Sequence, residues 1–574
     1  MGRSQRKLEL VLLWHMHQPD YRDPRTGEFT LPWVYLHALK DYADMAYHLE
    51  RHPGVKAVVN FVPVLLDQLE DYAEQFRLGL VRDPLLKLLG ASNLDQVSPQ
   101  TRTFILDACF RNNHHTMIEP FPPYKRLHEL YRQLNVQGES AFAYLSGQYF
   151  SDLLTWYHLA WTGESVRRRH ALVQRLMAQG SGFTHSDRFA LFQLIGEVVA
   201  EVIPRYRRLA QSGQIELSTT PHYHPLAPLL IDFRSAREAL PGVVLPQTAC
   251  YPGGRSRVEW HLDSALESHA RRFGDAPAGV WPAEGAISQP LLELLASRGC
   301  RWTASGQAVL ANTLRRGGAT HVLADRTHYL YQPYRYRGPG GEVTCFFRDD
   351  QLSDLIGFEY KSWFGRDAAN DFVRRLEDIL RRSPEDARPL VSVILDGENA
   401  WEYYPYNGYF FLDDLYTLLE NHPLISTTTY RDYLARSAAA AAPLPPVVAG
   451  SWVYGTFSPW IGEPAKNQAW ELLAAAKQHY DLVMQGGRLK PEEAEAAHRQ
   501  LADCESSDWF WWLGDYNPEH AVASFERRFR DKLGNLYRLL KLPVPAALST
   551  PLSRGHGDPE AGGAMRRASK EREG

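Results

Sequence analysis

Short, almost wholly apolar runs alternate along the chain with longer segments of helical period. Leu390-Val391-Ser392-Val393-Ile394-Leu395 is the clearest of the short runs. A continuous apolar stretch rich in branched residues predicts a strand covered on both faces. Similar runs predict strands near 8–14, 55–61, 214–219, 278–282, 299–303 and 343–347, with a further one near 424–429. Helical spacing predicts helices over 37–51, 257–271, 288–298, 366–383 and 408–421. Strand then helix, repeated, implies parallel strands joined by crossover helices, hence an α/β barrel or a doubly wound sheet. About seven strands spread over roughly 430 residues favour a distorted barrel carrying large insertions.

The main insertion spans about 75–205 and has a helical pattern. At Arg436-Ser437 the chain enters an alanine- and proline-rich stretch, which predicts a linker over 436–449. Amphipathic patterns at 464–484, 490–504 and 518–541 predict a helical C-terminal domain over 450–548 that follows a catalytic unit of 1–435. From Ser549 onward Gly, Pro and charge dominate, and this tail, 549–574, is expected to be disordered.

Composition narrows the function. At 574 residues the chain exceeds one ordinary core. A net charge of -4 with 23% charged residues shows no bias toward nucleic acid or an anionic membrane. No apolar run reaches the roughly 18 residues of a membrane span. The basic start, Met1 to Lys7, leads straight into Leu8–Trp14 with no small-residue cleavage site, so it reads as a first strand and not a signal peptide. Five widely spaced cysteines without a C-x-x-C pair suggest reduced thiols in a cytoplasmic protein and argue against a thiolate metal site. Fifteen tryptophans and 29 tyrosines suit the alternating faces of pyranose rings.

The chemistry sits at predicted strand ends, where parallel sheets and barrels place it. The run at 390–395 opens into Asp396-Gly397-Glu398-Asn399-Ala400-Trp401-Glu402, three acids within seven residues. Burial among like charges raises the pKa of at least one, as a general acid at neutral pH requires. Ala278-Gly279-Val280-Trp281-Pro282-Ala283-Glu284-Gly285 places a second acid in a tight strand-to-helix turn. Two acids on separate strand ends, each beside a tryptophan, suit a sugar-cleaving pair. At the first strand His15 and His17 share one side of an extended chain, and Glu216, His222 and His224 follow at another strand end. These histidines suit either hydroxyl recognition or a zinc site, which sustains a rival reading as a zinc-dependent polysaccharide deacetylase or zinc mannosidase. Asp508-Trp509-Phe510-Trp511-Trp512 is either interdomain packing or a sugar platform.

Together these segments resemble glycoside hydrolase family 57. Its five short regions have candidates here in order: His17-Gln18-Pro19, Gly213 to Pro225, Trp281-Pro282-Ala283-Glu284, Leu395-Asp396-Gly397-Glu398-Asn399 and Asp508-Trp509-Phe510-Trp511-Trp512. Phe347 to Phe358 also resembles members described as amylopullulanases and α-amylases. The resemblance implies a (β/α)7 barrel with a helical C-terminal domain leaning into the cleft, and a retaining mechanism on α-glucans with no cofactor and no metal in the chemical step. It implies Glu284 as nucleophile and Asp396 as general acid/base. His15, His17, Glu216, His224, Trp281, Glu398, Trp401, Asp508, Trp509 and Trp512 are the expected substrate contacts, with His15, like His222, ambiguous between touching sugar and supporting a residue that does. Hydrolysis of α-1,4 links, with α-1,6 links as an extension, is the first expectation. Transfer by a 4-α-glucanotransferase or branching enzyme on the same site is the alternative.

Overall fold

The computed structural model describes residues 6–437, 441–514, 516–555 and 565–568. The start Met1–Gln5, Ala438–Ala440 of the expected linker, Asp515, and residues 556–564 and 569–574 of the expected tail lie outside the described residues. The strands are β1 (Leu8–Met16), β2 (Ala57–Phe61), β3 (Ile215–Thr219), β4 (Gly279–Val280), β5 (Trp302–Gly306), β6 (Tyr334–Gly338), β7 (Gly341–Arg348), β8 (Leu390–Asp396), β9 (Ile425–Thr427) and β10 (Ala442–Pro443). Hydrogen bonding runs β1–β2–β3–β4–β5–β7–β8 and returns from β8 to β1, every pairing parallel. The ring is a closed seven-stranded parallel barrel, as the strand count predicts. The run near 424–429 is β9, which joins β1. The alternating stretch at 334–338 was not among the expected strands; it pairs antiparallel with β7.

Alternation along the strands explains both cores. Val11 and Leu13 of β1, Val58 of β2, and Leu390 and Ile394 of β8 point into the barrel with Trp302 and Phe346. The intervening Leu10, Leu12 and Trp14 face the helices. Tyr430, Tyr433 and Leu434, on the helix Tyr430–Ser437, join the interior core beside Leu390, the first residue of β8, and so plug the N-terminal end of the barrel. Continued two residues further, the inward parity that carries Leu13, Val58 and Ile394 reaches His15, Asn60 and Asp396. The apolar interior therefore ends in polar groups at the C-terminal mouth, where His15 lies in register with both Asn60 and Asp396.

The expected insertion is a set of helices between β2 and β3, closing with the long helix His185–Gln211. Helices Pro464–Gln485, Pro491–Cys504, Ser507–Trp512 and Glu519–Leu539 build the C-terminal unit. Two expectations need correcting. The described part of the 436–449 stretch is not a free linker: β10 extends β6, Val448 N–H donates to Thr313 Oγ1 at 3.0 Å, and Gly450 bridges Ile287. Proline tolerates this place because β10 is an edge strand. The described part of the tail is not free either. Leu552 N–H donates to Glu526 at 2.8 Å, and Met565–Ala568 lie against the barrel mouth. Composition could not reveal these specific contacts. No helix among the described residues is long and apolar enough to cross a membrane.

Candidate active site

A cavity of about 1020 Å³ opens at the barrel mouth, walled on one side by the C-terminal unit. It lies at the upper end of the range for small-molecule sites, large enough for an oligosaccharide. Of the expected site residues, His15, His17, His224, Glu284, Asp396, Glu398, Asp508 and Trp512 all line it.

Glu284 follows the two-residue strand β4 in a turn where it takes left-handed backbone angles (φ 58, ψ 23). Such angles cost a non-glycine residue about 1 kcal/mol. Gly285 must also be left-handed (φ 56), and a Cβ there would come within 2.6 Å of the Trp281 ring. The Glu284 turn is held from outside by Trp452, whose backbone N–H donates to the Glu284 carbonyl and whose indole Nε1 donates to Oε2, each at 3.0 Å. His224 is a second left-handed residue at the site (φ 57).

Asp396 ends β8 and accepts from Asn399 Nδ2 at 2.9 Å. Burial pushes its carboxyl up to about 6, against the stabilising amide of Asn399. Burial pushes Glu284 further, to about 8, opposed by the Trp452 donor and reinforced by the charge of Asp396. Glu398 is raised well above the ordinary glutamate range, by burial and then by Asp396. Its Oε1 accepts from the His17 backbone N–H at 3.0 Å and from Gln18 Nε2 at 3.3 Å, which ties the first strand end to the last.

The imidazoles form a row. His15 Nδ1 lies 2.6 Å from Asn60 Oδ1, and its Nε2 lies 3.2 Å from Nε2 of His224, whose Nδ1 meets Ser507 Oγ at 2.8 Å. Burial, then the neighbouring His17, lowers His15 to about 3, and burial likewise lowers His224 well below the ordinary range, so both are neutral. His17 Nε2 pairs with Asp508 Oδ2 at 2.8 Å. Burial alone would raise Asp508, but the adjoining His17 and Ser506 hold it below the usual aspartate range.

His17, His224 and Asp508 bring ligand atoms within 4.8 Å of one another, the trio nearest to a metal site among the described residues. The two rings are stacked, however, with centroids 3.8 Å apart and planes 15° from parallel. In-plane lone pairs on parallel rings run side by side and do not converge on one ion. Both nitrogens of His224 already have partners, and His222 turns away to Asp67 and Ser264. The histidines of the rival zinc reading therefore present no converging ligand set among the described residues.

Four expected contacts lie elsewhere. Glu216 has the inward parity but stands at the wrong end of its strand. It accepts from Trp302 Nε1 at 2.7 Å and from the Arg431 backbone N–H at 2.8 Å, at the N-terminal plug. Trp281 is fully buried beneath the Glu284 turn, edge-on to Trp452 at 5.2 Å. Trp401 donates to the Gly397 carbonyl at 2.9 Å and packs on Trp14. Trp509 donates to the Asp503 carbonyl inside the C-terminal unit. In the helix Ser507–Trp512 the residues lining the cavity are Asp508, Trp511 and Trp512, an i, i+3, i+4 face that points away from Trp509. That spacing was the available signal for Trp511. Trp452 and Arg348 also line the cavity, with the Arg348 guanidinium 5.3 Å from the Trp452 ring. Trp452 carries no strand-end signature and falls beyond the expected linker.

Two half-buried carboxylates sharing a cavity with a hydrogen-bonded imidazole row and indole walls are the equipment of a glycosidase. The family model for glycosyl hydrolase family 57 matches residues 11–444, and the chain belongs to that family. Its fold is similar to a family 57 branching enzyme from Thermococcus kodakaraensis solved with glucose and additives, at 16% identity over 92% of this chain and 90% of that one (TM-score 0.56). It is also similar to a branching enzyme of this type from Pyrococcus horikoshii, at 14% identity over 96% and 98% (TM-score 0.54). The α-amylase AmyC of Thermotoga maritima aligns at 14% identity over 93% and 94% (TM-score 0.51).

Proposed function

We propose that this family 57 enzyme is a retaining glycoside hydrolase acting on α-1,4-glucans, with Glu284 as nucleophile and Asp396 as general acid/base. The observation that carries the proposal is the placing of these two half-buried carboxylates, both held above the ordinary range by desolvation, on one oligosaccharide-sized cavity. The α-glucan substrate is carried over from the family motifs and from the amylase and branching activities named for the similar structures.

In this scheme Glu284 attacks the anomeric carbon while the bond to the leaving oxygen breaks and Asp396 gives that oxygen its proton. The glycosyl ester on Glu284 is then displaced by an acceptor whose proton passes to Asp396. Water as acceptor gives hydrolysis; a sugar hydroxyl gives transfer. The pair needs one shared proton, the count expected near neutrality when one group titrates at about 8 and the other at about 6. Burial raises Glu284 further than Asp396, whereas the reaction needs the proton on Asp396. The Trp452 N–H aimed at Glu284 Oε2 supports the charge that nucleophilic attack requires there. The five free thiols suit a reducing compartment, and we place the enzyme in cytoplasmic maltodextrin or glycogen turnover.

The test is a product profile on maltopentaose, amylose and pullulan, with Glu284→Gln as control. Short sugars with a matching rise in reducing ends support hydrolysis, and cleavage of pullulan extends it to α-1,6 links. A ladder of longer and shorter oligomers with little net rise identifies a transferase. No turnover of any of the three contradicts the α-glucan reading.

A further inference from the structure

Residues Met565–Ala568 contribute to the wall of the cavity, with Met565, Arg566 and Ala568 lining it. Their anchors come from three separate parts of the chain. The Arg566 guanidinium lies 3.9 Å from the Tyr516 ring centroid and 5.0 Å from that of Trp511, and it donates to Asn517 Oδ1 at 3.1 Å. Asn517 in turn donates through Nδ2 to the carbonyls of Trp511 and Trp512, at 3.0 and 3.1 Å. Arg566 thus steadies the end of the helix that supplies both indole walls. At the other end of the strap, the Ala568 N–H donates to Asp354 Oδ2 at 3.0 Å, while Asp354 Oδ1 holds Arg348. The Ala568 carbonyl accepts from the Tyr454 N–H at 2.8 Å. Tyr454 is itself left-handed (φ 61) and stands two residues from Trp452, the partner of Glu284.

Four residues therefore tie the C-terminal unit to the short helix after β7 (Asp350–Asp354) and to the Trp452 turn, across the seam between barrel and helices. A chain running through the cleft along that seam would meet this segment. We propose that Met565–Ala568 is a specificity element that blocks one side of the cleft, so that the enzyme favours short linear α-glucans and chain ends over the interior of long polymers. This inference rests on the α-glucan reading above and adds to it which glucans fit.

The test compares the full chain with a protein ending at Gly555 and with Arg566→Ser in the full chain. Two quantities are read: kcat and KM on amylose and maltotetraose, and amide hydrogen exchange at Tyr454. The proposal predicts that the ratio of kcat/KM for amylose to that for maltotetraose rises at least fivefold in the shortened protein, through a lower KM for amylose. Arg566→Ser, which keeps the remaining chain, should move it in the same direction. Tyr454 exchange should quicken in the shortened protein, because its acceptor is gone. An unchanged ratio with an active full-length enzyme, or unchanged exchange at Tyr454, overturns the specificity role while leaving the α-glucan reading intact. A full chain inactive on both substrates overturns the α-glucan reading and this inference with it.

Discussion

Trp452 holds Glu284 at two points: its indole N–H meets the carboxylate and its backbone N–H meets the carbonyl, each at 3.0 Å. The pairing joins a residue just past the family-matched region (residues 11–444) to the turn after β4. Hydrogen bonds to a charged group contribute about 1.5–3 kcal/mol. Trp452→Phe keeps an aromatic ring but removes the side-chain donor, so kcat/KM should fall about 10- to 100-fold. The donor favours the charged form, so its loss should also shift the alkaline limb of the pH profile upward. Steady-state kinetics across pH measure both effects.

Activity should be bell-shaped in pH. Below about 6 both carboxyls carry protons and no nucleophile remains; above about 8 both are ionised and no acid remains. The profile of kcat/KM should therefore rise through the lower value and fall through the higher one.

The same burial makes Glu284 costly to the fold. Its folded-state pKa lies above the unfolded value, so the native state binds the extra proton between about 4.5 and about 8. The stability linked to that proton is fully present below the unfolded pKa and is lost as pH rises through the folded one. Glu284→Gln removes the ionisable group. It should abolish turnover by several orders of magnitude and melt higher than wild type at pH 8, by up to a few kcal/mol of stability. Calorimetry of both proteins at pH 5 and pH 8 should show the gap open only at the higher pH.

Glu216 separates the two ends of the barrel. Glu216→Ala strands the Trp302 indole and the Arg431 N–H in the interior, at a cost of about 2–4 kcal/mol. Activity per folded molecule should stay near wild type, since the side chain is remote from the mouth. A large loss of kcat with unchanged melting would place it in the chemistry after all.

Chelators should leave activity unchanged. The stacked rings of His17 and His224 do not converge on an ion, and His224 is engaged at both nitrogens. Loss of activity in EDTA, restored by zinc, would contradict this reading of the imidazole row.

Much of the architecture was legible because strand parity and helix period are local properties. The run into Asp396 and the spacing of His15 after Leu13 mark the inward face and the mouth, and Glu284 and Asp396, both singled out from the residues, line the cavity there. Glu216 shows the limit: parity says which face a side chain takes, but not which end of the barrel the segment occupies. Trp281, Trp401 and Trp509 show another limit, since an indole beside a catalytic motif packs as readily beneath the motif as beside the sugar. Trp452 and Met565–Ala568 reach the cleft only through long-range contacts, which leave no periodic trace in the chain.

The most direct test of the Glu284–Asp396 assignment is azide rescue with an activated α-maltosyl fluoride, reading the anomer by NMR. Glu284→Gly leaves space on the nucleophile's side, so azide should attack there and give the inverted β-maltosyl azide. Asp396→Gly still forms the glycosyl ester, and azide should displace it to give the retained α-maltosyl azide. The opposite pairing of variants and anomers would exchange the two roles, and inverted products from both would contradict a retaining mechanism.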